Sequence, residues 1–81
     1  MSNASQNRDF RIRLKAARQG MGFTPGDLAD ELTACGKPID VDTVNAWENG
    51  KDAPREWDRP LVEAAEVILG AEGQLTDALG W

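Results

Sequence analysis

Apolar residues recur along this chain in steps of three and four, the period of a helix that buries one stripe. Phe10, Leu14, Ala17 and Met21 step by four, three and four. They predict a first helix over residues 5–20, with Ser5 or Asn7 as cap and Gly20 and Gly22 as its stop. Thr24-Pro25 marks the next start. A threonine there accepts a hydrogen bond from the first turn, and proline at the first helical position lacks only an N–H that has no partner anyway. The second helix carries Leu28, Ala29 and Leu32 inward, Asp30 and Glu31 outward, and runs to Ala34 or Cys35 before Gly36. A third helix begins between Asp40 and Asp42. Val41, Val44 and Trp47 form its inner stripe, and Asn49-Gly50 ends it. Lys51 to Pro54 has no periodic pattern and reads as a loop. Residues 58–69 predict a fourth helix, capped by Asp58, with Leu61, Ala64, Ala65, Ile68 and Leu69 inside. A short fifth helix is expected over Glu72 to Leu79, on Leu75 and Leu79. No segment alternates as a half-buried strand would. The expected class is therefore all-α, a bundle of five short helices with Leu14, Leu28, Leu32, Val44, Trp47, Leu61, Ala65 and Ile68 in its core.

The chain has 81 residues, enough for one small domain. Residues 1–7 read as a flexible N-terminal segment whose Met-Ser-Asn-Ala start resembles an expression-tag remnant, and residues 8–81 as the single domain. Hydrophobic residues make up 41% and charged residues 28%, which fits a water-soluble domain and excludes a disordered acidic tail. No window approaches the ~20 apolar residues that cross a bilayer, so no membrane partner is expected. Histidine is absent and Cys35 is the single cysteine. This removes the commonest general base, an internal disulfide and a cysteine zinc site. There is no glycine-rich phosphate loop either. No enzyme activity, cofactor or metal is therefore expected. Cys35 reads as a small apolar residue near the end of the second helix, and a lone thiol suits a reducing cytoplasm.

The charge is unevenly spread. The net charge is −5, yet residues 1–18 hold Arg8, Arg11, Arg13, Lys15 and Arg18 against Asp9 alone. The remaining residues carry four basic against thirteen acidic side chains. The basic stretch reads either as a solvated helix face or as an electrostatic footprint for a polyanion.

Several stretches together resemble one known family. They are Leu14-Lys15-Ala16-Ala17-Arg18, Gly22-Phe23-Thr24, Asp27-Leu28-Ala29 and Thr43-Val44-Asn45-Ala46-Trp47-Glu48-Asn49-Gly50, followed by Pro54 and the run Leu61 to Gly70. In these the chain resembles the lambda-repressor-like, XRE-type helix-turn-helix DNA-binding domains over about residues 10–70. The resemblance implies a transcriptional regulator of the cytoplasm that binds double-stranded DNA as a homodimer, one short recognition helix per half-site. It implies a recognition helix at about 41–48 in the major groove. Val41, Asp42, Thr43, Asn45 and Ala46 would face bases, and Thr24, Lys37, Asn49, Lys51 and Arg55 would hold phosphates. It also implies a structural ion pair between Arg18 and Glu48, and family members often carry a further domain or protein partner. Two departures stand out. The connection from about Thr33 to Pro38 is longer than the family's tight turn. Asp40 and Asp42 put two carboxylates where a polyanion would approach. That acidic lip supports a competing expectation, a protein-interaction module on the same fold. Trp57, in the charged run Arg55 to Arg59, is expected to pack under the loop, and Trp81 to dock as a tail or mark a cut end.

Overall fold

The computed structural model describes the backbone of residues 3–81 and the side chains from Asn7 onward. Five helices follow one another: α1 (Asn3–Gly20), α2 (Pro25–Ala34), α3 (Val41–Asn49), α4 (Arg59–Leu69) and α5 (Gln74–Ala78). A 3-10 turn, Glu56–Asp58, leads into α4, and no strand occurs among the described residues. Residues 3–7 of the expected leading segment lie in α1.

Local chemistry sets the helix ends. At α2 the Thr24 hydroxyl accepts from Asp27 N at 3.1 Å, and the Asp27 carboxylate accepts from Thr24 N at 2.9 Å. This reciprocal box satisfies two donors that a helix start otherwise leaves open. All five helices stop in one way. A left-handed glycine follows each, Gly22, Gly36, Gly50, Gly70 and Gly80. The next residue's N–H then bonds back to the last turn: Phe23 to the Arg18 carbonyl, Lys37 to Leu32, Lys51 to Ala46, Ala71 to Glu66 and Trp81 to Thr76, at 2.8–3.1 Å. These bonds cap carbonyls that have no helical partner.

Packing then closes the bundle. α1 lies against α3 and α5, α2 against α3 and α4, and α4 against α5. Phe10, Leu14, Leu28, Leu32, Val44, Val62 and Leu75 are fully enclosed. The Phe10 ring meets Trp47 edge to face, with centroids 6.0 Å apart. That arrangement sets the positive edge of one ring against the negative face of the other.

Several expectations are corrected here. α4 turns Val62, Ala65, Glu66 and Leu69 inward, which leaves Leu61 and Ile68 only half-buried. Its run from Leu61 to Leu69 is apolar around most of its circumference, so more than one rotation suited the pattern. Val41 is 41% exposed and Met21 49% exposed. Val41 opens α3 and Met21 follows the end of α1, and each lies outside the turns that pack. Cys35 is exposed, not apolar filling. Trp57 does not pack under the loop and is 76% exposed. Trp81 is half-buried against the core.

The buried carboxylate on α4 explains the rotation. Glu66 is 6% exposed, and its Oε2 accepts from Leu75 N at 2.9 Å, Thr76 N at 2.8 Å and the Thr76 hydroxyl at 3.0 Å. Gly73, at the cap position of α5, has no side chain to do this. Glu66 thus caps the fifth helix from outside it. Glu66→Ala is expected to destabilise the chain by about 1–3 kcal/mol, the usual effect of leaving buried donors unpaired. Urea unfolding checks this, together with faster amide exchange at Leu75 and Thr76. An unchanged midpoint would contradict the capping role.

Candidate nucleic-acid interface

α3 is a nine-residue helix held from its inner side. Val44 and Trp47 enter the core, and Trp47 rests on Phe10 of α1. The last turn is gripped by Arg18. Its Nε donates to Glu48 Oε2 at 2.6 Å, its Nη2 to Glu48 Oε1 at 2.7 Å, and its Nη1 to the Phe23 carbonyl at 2.7 Å. The planar fork of a guanidinium matches both carboxylate oxygens at once, and the third donor ties in the α1–α2 turn. The two side chains are only 8% and 6% exposed. The hydrogen bond to Glu48 raises the Arg18 pKa, burial opposes it, and attraction to the Glu48 charge adds to the rise. Arg18 therefore stays cationic at any ordinary pH.

Arg11 reaches the same end of α3. A Cβ built on Gly50 would run into its guanidinium. That guanidinium ends a flexible side chain and can shift, so the preference for glycine here comes from the left-handed backbone, with φ of 76°. Arg13, two residues on, turns elsewhere and donates to the Gln74 carbonyl at 3.0 Å, on α5. The basic cluster of α1 is thus divided between structural tasks and solvent.

The residues expected to face bases separate into two groups. Val41, Asp42 and Asn45 are exposed, whereas Thr43 and Ala46 are half-buried. Those expected to hold phosphates do not form one cluster. Lys51 and Arg55 border one groove, beside Asp52, Glu56 and Trp81. Arg55 also borders a second groove, beside Thr43, Asp40 and Trp57. Asn49 is exposed at the end of α3. Thr24 and Lys37 flank opposite ends of α2, whose ten residues set them about 15 Å or more apart. The Thr24 hydroxyl is already engaged as the α2 cap, and Asp27 places a carboxylate at that helix start.

The electrostatics around α3 are mixed. α3 itself carries Asp42 and Glu48 and no basic residue. Asp40 precedes it and makes no side-chain cap bond. Arg55 Nη1 lies 3.7 Å from Asp52 Oδ1, and its guanidinium stands 5.7 Å over the Trp57 ring. Sequence reasoning missed the exposure of Trp57 and the inward turn of Glu66. The Glu66 signal was present, since it follows Val62 by four and Leu69 follows it by three.

No family model matches the chain, and no curated protein or solved structure matches it.

The clamp on α3 yields a direct expectation. Arg18→Ala and Glu48→Ala should each cost about 3–5 kcal/mol, because each leaves the partner charge buried and unpaired. Arg18→Lys should recover only part of this, since an ammonium cannot bond both oxygens in a plane. Chemical denaturation measures all three. A loss below about 1 kcal/mol for Arg18→Ala, the range of an exposed pair, would contradict the clamp.

Proposed function

We propose that this chain is a sequence-specific DNA-binding domain of a transcriptional regulator in the cytoplasm. It is a lambda-repressor-like helix-turn-helix bundle that acts as a homodimer. α2 and α3 are the two helices of the motif, and α3 enters the major groove. The observation that carries the reading is the way α3 is held. Its inner side is fixed by Phe10, Arg18 and the core, and Val41, Asp42 and Asn45 are exposed on a short helix. A helix of that width fits the major groove, and a fixed backbone lets a few side chains meet base edges in register. Lys51 and Arg55 follow α3 directly and supply positive charge for the phosphates. A helix this short covers only a few base pairs, so two copies on two half-sites are needed for useful specificity.

The acidic groups set the terms of that binding. Asp40 and Asp42 repel a polyanion, so affinity depends on Lys51, Arg55, Lys37 and the half of α1 that stays in solvent. A second reading, a protein-interaction module on the same bundle, is favoured by one observation, the 76% exposure of Trp57 in the groove that Asp40 also lines.

Three substitutions test the DNA reading in fluorescence-anisotropy titrations with duplex DNA. Lys51→Ala should weaken binding to every duplex alike and lower the slope of log affinity against log salt by about one. Asn45→Ala should instead reduce discrimination at one base pair, by roughly 1–3 kcal/mol. Asp42→Asn should tighten binding to all DNA if the carboxylate only repels, and lose selectivity at one position if it accepts from a cytosine amino group. Absence of duplex binding at low salt would refute the proposal.

A further inference from the structure

Between the first half of α3 and the 3-10 turn lies an open groove. Its walls carry Ile39, Leu61 and Trp57, and its rim carries Asp40, Asp52 and Asp58. Among the described residues, Arg55 is the one cation that lines it. Arg55 is already engaged, 3.7 Å from Asp52 and 5.7 Å above the Trp57 ring. Even so, the Trp57 side chain remains three-quarters exposed. Asp40 gives no side-chain bond to the first turn of α3. Asp58 uses one oxygen to accept from Arg55 N at 2.9 Å. An open aromatic face therefore stands among carboxylates that exceed the local positive charge.

We infer that this groove docks a cationic polypeptide segment, one that offers an arginine next to an apolar side chain. Arg55 displays the pairing within the chain itself: a guanidinium over an indole with a carboxylate at its edge. The ring face that Arg55 leaves open, with Asp40 close by in the same groove, takes a second guanidinium in the same way. Leu61 and Ile39 accept the apolar neighbour. An exposed tryptophan is the residue type that most often anchors a protein interface. The groove beyond Arg55 suits a cation better than a phosphate, because Asp40, Asp52 and Asp58 line it against that single arginine. The inference goes beyond the DNA reading: the groove shares Thr43 and Arg55 with the expected DNA surface but adds Trp57, Ile39 and Leu61, and its test contains an arm without DNA.

The test is a titration of the nitrogen-labelled whole chain with a short synthetic peptide of alternating arginine and leucine. The three tryptophans, Trp47, Trp57 and Trp81, each give an indole N–H signal in a two-dimensional NMR spectrum. The Trp57 signal is expected to move most. Trp57→Ala, at an exposed position, should keep the fold and weaken binding about tenfold or more, the loss typical of an aromatic anchor. Asp40→Asn should weaken it about threefold, as befits an exposed ion pair. Asp77→Asn on α5 should leave it unchanged, and the same peptide with glutamate for arginine should not bind. Two results would overturn the inference: a Trp57→Ala affinity within about twofold of the parent, or a Trp57 signal that stays fixed while the peptide binds.

Discussion

The arrangement of the first three helices depends on one buried ion pair. Arg18 ends α1, Glu48 sits in the last turn of α3, and the Phe23 carbonyl belongs to the turn that starts α2. Three segments thus converge on a single guanidinium. A charge removed from water is tolerated only when its partners are complete, and here all three bonds are short and aligned. Without Glu48 the guanidinium would draw water into the seam between α1 and α3. Without Arg18 the carboxylate would do the same. The Phe10–Trp47 contact lies on that α1–α3 seam, so polar and aromatic contacts constrain the same helix. The placement of α3 is set here, and any reading of its outer face as a recognition surface rests on that placement.

A second buried carboxylate organises the other end of the molecule. Glu66 joins α4 to the start of α5, which lies against α1 and puts Leu75 and Leu79 in the core with Trp81 packed against it. The two acids differ in kind. Glu48 is neutralised by an arginine, whereas Glu66 is solvated by backbone and hydroxyl donors. Each fixes a junction between helices that apolar packing alone would leave free to slide.

The helices were legible because each has punctuation with a mechanism. Thr24-Pro25 opens α2, and glycines at 22, 36, 50, 70 and 80 follow the five ends, so most boundaries fall within two residues of the expected ones. The inner face of α2, Leu28, Ala29 and Leu32, was equally plain because polar residues bracket it. α4 was harder. Its apolar residues surround the helix, and the rotation was decided by a carboxylate whose partners lie about ten residues further on. Val41 misled because three-residue spacing from Val44 continues the stripe past the point where the helix touches the core. Trp57 misled because a large apolar residue defaults to burial, and nothing local states otherwise. The outward set on α3 came from the family resemblance and not from periodicity, and two of its five residues, Thr43 and Ala46, are half-buried. That Lys51 and Arg55 border one groove was not legible, because it depends on how the later loop folds.

The central proposal is that a clamped α3 reads DNA despite a net charge of −5. The most direct measurement is selection of duplexes from a randomised pool by the whole chain at low salt, followed by sequencing of the retained fraction. The account predicts enrichment of a short motif in two inverted copies, with centres about one helical turn of DNA or a multiple apart. A retained pool that matches the starting pool in sequence, or a chain that retains no duplex at all, would contradict it.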